Sequence, residues 1–192
     1  MGSTTQALII LAFSYICLSS IFLWNYKPPI HPTEQKALYN VLNSINPDFP
    51  WTTRFSGDLC RLPPPGVVCR YSYFHLLKYR KLRSHVVEMN FGNYDSDEKQ
   101  NPTLPCSHNA TFNSTLFTPF NYLGKLIFRE CFNNRENPII ISLSTFPTTL
   151  QQLVFIDNLS PIQGSFSFAE FGMINKLQIV RTHKSLVGKE KE

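Results

Sequence analysis

Four short strings in this chain share one apolar spacing, and that spacing limits the folds open to it. Val86-Val87-Glu88-Met89-Asn90-Phe91, Leu123-Gly124-Lys125-Leu126-Ile127-Phe128, Leu150-Gln151-Gln152-Leu153-Val154-Phe155 and Ile174-Asn175-Lys176-Leu177-Gln178-Ile179 all read Φ-x-x-Φ-x-Φ, with Φ apolar. The last three start 27 and then 24 residues apart, and the first stands 37 residues before the second. Three residues past each of the last three strings come Cys131, Asn158 and Thr182, small groups able to bond the backbone of a neighbouring coil. Six further on, Asn137-Pro138, Gly164 and Gly188 fall in register. Each Φ-x-Φ alternation predicts a short strand with its apolar side inward. One unit cannot bury its own apolar face, so neighbours must stack. A small antiparallel β-domain is the competing reading, and the register shared by several kinds of position favours the repeat.

Ahead of the strings, the spacing of Ala37, Leu38, Val41, Leu42 and Ile45 predicts a short amphipathic helix. Thr33 is the expected N-cap, Asn46-Pro47 the stop, and Glu34, Gln35, Lys36, Asn40 and Asn43 the polar side. From Trp51 to Cys69 the chain is turn-rich and apolar around Pro63-Pro64-Pro65-Gly66, a lid for the repeat rather than a domain of its own.

The compartment is read from the N-terminus and the cysteines. Ala7 to Trp24 carries no charge, which suits a cleaved secretory signal or an uncleaved signal anchor. Cys17 lies within that leader, leaving Cys60, Cys69, Cys106 and Cys131 as an even set. Four cysteines permit three pairings, and local spacing favours Cys60–Cys69 and Cys106–Cys131 because each closes a short loop. A metal site using Cys60, Cys69, His75 and His85 is the rival, without ligand spacing to support it. Sequons begin at Asn109, Asn113 and Asn158. Asn109 and Asn113 are expected to carry glycan, and Asn158, at the ladder position, to be buried and bare. The expected location is secreted or on the extracellular face of the plasma membrane.

The formal charge of +5 is unevenly placed: Arg61, Arg70, Lys78, Arg80, Lys81 and Arg83 supply +6 in an acid-free stretch, so everything else sums to −1. That excludes a broadly nucleic-acid-coating protein. The segment 70–83 interleaves aromatics with cations and reads as a solvated excursion or an attractor of anionic polymer. His75, His85 and His108 are expected on the solvated surface. No G-x-S-x-G, H-E-x-x-H or G-x-x-x-x-G-K-[ST] occurs. The expectation is a protein that is not an enzyme and takes no cofactor.

The helix followed by Trp51…Asp58-Leu59-Cys60…Pro65-Gly66-Val67-Val68-Cys69 resembles the N-terminal cap of plant leucine-rich-repeat receptors. NPTLPCSHNAT at 101–111, YLGKLIFRECF at 122–132 and LVFIDN at 153–158 are similar to a narrower group of receptor-like proteins, those related to TOO MANY MOUTHS and the Piriformospora indica-insensitive protein. The resemblance implies a short, truncated α/β leucine-rich-repeat solenoid with a helical disulfide-bonded N-terminal cap, three to four parallel strands and no C-terminal cap. Its divisions are a leader over 1–24, a cap with basic excursion over 28–83, repeats over 84–188 interrupted at 93–119, and a charged tail over 189–192.

The function it implies is extracellular recognition in plant defence or development. A peptide or protein ligand, and a receptor-kinase co-receptor, would meet the concave strand face. The outward positions there are Lys125, Ile127, Arg129 and Glu130; Gln152, Val154, Ile156 and Asp157; Lys176, Gln178, Val180 and Arg181. Inhibition of cell-wall-degrading enzymes and binding of an anionic cell-wall polymer through 70–83 are the alternatives, with no nucleic-acid partner. An uncapped end, with Leu177, Ile179 and Leu186 at its edge, is expected to self-associate.

Overall fold

Proline is well tolerated at the first helical position, where its missing N–H would have no partner in any case. Helix α1 (Pro32–Ile45) starts in that way, with His31 as N-cap in place of the expected Thr33. The computed structural model describes residues 27–71, 82–92 and 105–164, and the backbone of 176–180. The leader, most of the basic excursion with His75, the first part of the insertion (93–104), Arg181, Thr182, Leu186 and the charged tail lie outside the described residues.

Ala37, Leu38, Val41, Leu42 and Ile45 form the buried face of α1, and Glu34 is buried with them rather than on the polar side. The one-turn helix α2 (Trp51–Arg54) brings Trp51 onto this face, where it is 2% exposed. Phe49 packs on the indole at 4.4 Å between ring centroids, and the indole N–H donates to the Asn46 carbonyl at 2.8 Å.

Strand β1 (Val67–Tyr71) runs antiparallel to β2 (Ser84–Gly92). Gly66 turns the chain into β1 with φ +82°, and a Cβ there would stand 1.9 Å from the Asn90 carbonyl oxygen, so only glycine fits. The Cys60–Cys69 disulfide pins this turn. Parallel pairing then adds β3 (Lys125–Arg129), β5 (Gln152–Ile156) and β7 (Lys176–Val180), giving the order β1-β2-β3-β5-β7. A separate two-stranded sheet joins β4 (Ile139–Ile140) to β6 (Ile162–Gln163), and 3₁₀ turns η1 (Ser114–Phe117) and η2 (Leu143–Thr145) complete the described elements.

The four strings stand in one register. Met89, Leu126, Leu153 and Leu177 are successive partners, as are Phe91, Phe128, Phe155 and Ile179. The opening interval of three in Φ-x-x-Φ cannot be strand alternation, which would put its ends on opposite faces. A bulge resolves this in β2: the β1 partners skip Val87, and Val86 and Met89 are both fully buried. The corresponding Gly124 donates its N–H to the Val87 carbonyl, and its own carbonyl accepts from Gln151 and Gln152.

These findings correct the expected short leucine-rich-repeat solenoid of three to four parallel strands behind a helical cap. The described residues form a mixed α/β structure around one mixed sheet, with an antiparallel pair at its β1 edge. The physical reason is the cap: the glycine turn and the Cys60–Cys69 bridge fold β1 back along β2, and α1 with Trp51 belongs to the same continuous core as the strands.

Phenylalanine dominates the far side of that core. Phe91, Phe128 and Phe155 stack across the strands at 5.9 and 5.4 Å, and Phe112 meets Phe128 and Phe155 edge-on at 5.6 Å each. Aromatic pairs of this kind contribute about 0.5–1.5 kcal/mol beyond their buried area. The Cys106–Cys131 disulfide ties the segment carrying Phe112 to the end of β3. Replacing both of these cysteines by serine is expected to cost about 3–4 kcal/mol, the loop-closure value for a 25-residue separation. A urea midpoint unchanged in the double variant would show that the bridge adds nothing.

Candidate functional site

The strands have two faces. Leu126, Phe128, Leu153 and Phe155 point into the core, so the alternate residues form the opposite surface. Register sorts that surface into three rows: Glu88, Lys125, Gln152 and Lys176; Asn90, Ile127, Val154 and Gln178; Gly92, Arg129, Ile156 and Val180. For Lys176, Gln178 and Val180 only the backbone position is described.

The first row carries an ion pair, Lys125 Nζ to Glu88 Oε1 at 2.8 Å, with both side chains about one-third exposed. Such a surface pair contributes little, between 0 and about 1 kcal/mol. The second row is apolar. Ile127 and Val154 are each 7% exposed, buried on the face opposite the phenylalanines and outside the main core cluster. Both were expected to stand open. They are buried instead because β3 and β5 are central strands, flanked by neighbours on each side of the row. Beside Ile127, Asn90 Oδ1 is buried and accepts no hydrogen bond among the described residues. The cost of such an unmet buried acceptor is about 1–3 kcal/mol.

The third row sits where the strands end. Gly92 has φ +107°, and a Cβ on it would lie 1.7 Å from the Arg129 carbonyl oxygen. Glu130 and Asp157 follow β3 and β5 at equivalent positions, both left-handed at φ 50° and 52°. Left-handed backbone is uncommon for residues with a Cβ, and here it twice turns the chain away from the strand line.

Beyond these turns Asn158 locks the register. Its Oδ1 accepts from the Cys131 and Phe132 backbone N–H groups, both at 2.9 Å, and its Nδ2 donates to the Phe128 and Ile156 carbonyls at 3.0 Å. The residue is 3% exposed. Cys131, at the matching position one strand earlier, uses its sulfur for Cys106 rather than for a backbone bond. The other two sequons are exposed at Asn109 and Asn113.

Two carboxylate contacts escaped the sequence reading. Glu34 accepts from the Val86 N–H at 2.9 Å and lies 2.6 Å from His85 Nδ1. His85 is therefore not on the solvated surface; its ring also lies 4.0 Å from that of Tyr122, centroid to centroid. The signal was present: Glu34 falls four, seven and eleven residues before Leu38, Val41 and Ile45, on the apolar stripe itself. Asp58 is the other, its carboxylate accepting from Ile30, Cys60 and Arg61 N–H groups at 2.8 to 3.0 Å. The rival metal site fails where it can be judged, since Cys60 and Cys69 are bonded to each other. Among the described residues no group of three His, Cys, Asp or Glu side chains could hold a metal ion.

No protein-family model matches the chain, and no curated protein matches it. Two disulfides are present, which is compatible with a secreted or extracellular protein. Among the described residues no helix is long and apolar enough to cross a membrane.

Truncation of Asn158 to alanine should lower unfolding stability by at least about 3 kcal/mol, because two buried N–H groups and two carbonyls lose their partner together. Chemical denaturation measures this, and a loss below 1 kcal/mol would count against a register held by the amide. Tyr39 yields a pH prediction. Its hydroxyl donates to the Phe55 carbonyl, and burial pushes its pKa above the ordinary 10. The folded state then holds the proton more tightly than the unfolded chain. This stabilisation is complete below pH 10 and is lost as pH rises through the folded value. Tyr39→Phe should accordingly show a shallower alkaline decline than the parent in parallel melts from pH 9 to 11.

Proposed function

We propose that the protein is a secreted, non-catalytic recognition module that takes a polypeptide partner on the sheet face turned away from its core. One observation carries the reading, the row Asn90–Ile127–Val154. It places two aliphatic side chains, each only 7% exposed, in adjacent register on the face opposite the phenylalanines, beside a buried acceptor without a hydrogen bond among the described residues. Polar and charged groups, Glu88, Lys125, Gln152 and Arg129, lie on either side of that row. An apolar centre with a polar rim is the anatomy of protein–protein contacts. Three strands spaced about 4.8 Å apart offer an extended surface, suited to a peptide or protein rather than a small molecule. A partner whose docking turns the Asn90 side chain outward would supply an N–H to Oδ1. The two disulfides support an oxidising compartment. The likeness of the Trp51–Cys69 segment to receptor caps points the same way.

The probe is a random peptide display library panned against the oxidised, full-length chain. Enriched peptides should lose at least tenfold in affinity on Val154→Arg, while Lys36→Glu on exposed α1 leaves them unchanged. Peptides equally sensitive to both, or to neither, would refute the assignment of this face. Asn90→Leu separates function from stability: it should stabilise the unliganded protein by about 1 kcal/mol, by removing an unmet acceptor, and still weaken the peptides.

A further inference from the structure

Asparagine followed by serine or threonine two residues on is an acceptor for N-linked carbohydrate in a secreted chain. The three such triplets here are in different states. At Asn158 both amide atoms are engaged and buried, so no sugar fits on the folded chain. Asn109 is exposed, in a turn where its N–H donates to Ser107 Oγ at 3.3 Å. Asn113 is exposed and caps η1. Its Oδ1 accepts from both the N–H and the hydroxyl of Thr115, at 3.0 and 2.7 Å.

That last arrangement divides the amide. The oxygen is held by the threonine of its own triplet, while Nδ2 forms no hydrogen bond among the described residues. A sugar on Nδ2 therefore leaves every contact of this turn in place. The position has a further consequence. The segment before Asn113 is hydrogen-bonded to the C-terminal end of α1, Ser107 N–H to the Ile45 carbonyl and Thr111 N–H to the Ser44 carbonyl, and η1 packs against α1. Asn109 and Asn113 thus lie with the helical layer, across the core from the Asn90–Ile127–Val154 row.

We infer that Asn113 is an N-glycan attachment site whose carbohydrate covers the helical layer and leaves the sheet face bare. This rests on the secretory reading above and adds to it which surface the partner can approach. In the transfer, Nδ2 forms a bond to C1 of a lipid-pyrophosphate-linked oligosaccharide. The C1–oxygen bond breaks, the lipid pyrophosphate leaves, and one amide proton passes to a base of the membrane transferase.

The test is expression of the full chain in a secreting eukaryotic cell, with peptide mass mapping after enzymatic glycan release in heavy-oxygen water. The expected result is a release mark at Asn113 and none at Asn158. Thr115→Ala should remove the Asn113 mark and Thr115→Ser should keep it, with the disulfides intact in both variants. A chain that is secreted and oxidised but unmarked at Asn113 overturns this inference and leaves the secretory reading standing. A chain retained in the cytosol with free thiols overturns both.

Discussion

A slip of one residue in any of the three parallel ladders would turn a core phenylalanine outward and bring Ile127 or Val154 inward. Strand side chains alternate with a period of two, so register and facing are one choice. The structure guards that choice from three directions. Phe91, Phe128 and Phe155 stack only in the observed alignment. The bulge skips Val87, and Gly124, at the matching position of the next string, donates its N–H to the Val87 carbonyl. Asn158 then clamps the ends of β3 and β5 with four hydrogen bonds from one amide. The candidate recognition row is a by-product of this alignment, since the residues between the inward Met89/Leu126/Leu153 and Phe91/Phe128/Phe155 rows must face the other way.

Much of this was legible because it depends on spacing. The strings, the helix face and the loops closed by Cys60–Cys69 and Cys106–Cys131 are properties of sequence distance, and distance can be counted. The fold class was read too far from the same counts. Strings that pair in parallel do not say what closes the edge of the sheet, and here a glycine turn and a disulfide fold β1 back against β2. Asn158 could be placed because an asparagine three residues past an apolar strand has only backbone for company. Glu34 and His85 were missed because each was judged by its residue type. A carboxylate on an apolar stripe is costly unless something meets it, and the partners, Val86 N–H and the His85 ring, lie more than 50 residues away. The expected openness of Ile127 and Val154 failed for a related reason: alternation assigns a face, whereas exposure depends on how many strands flank the position.

The two layers of the molecule divide its chemistry. On the helical side stand exposed polar turns, two of them ending in asparagine sequons. On the other side lies a sheet surface with a buried apolar centre and, among the described residues, the unmet acceptor of Asn90. A carbohydrate-bearing layer resists contact with other proteins, and an apolar row with a polar rim invites it, so the two assignments constrain each other.

The Glu34 contact also orders events in time. α1 leaves the ribosome about 50 residues ahead of the strand that supplies its N–H and histidine partners. Until Ser84–Val86 follow, a carboxylate on the apolar stripe has only water to meet it, and α1 has no reason to settle. Cys60 and Cys69, nine residues apart, can find each other sooner. The bridge joins residues nine apart, whereas the Glu34 contact has to wait for β2 to be made.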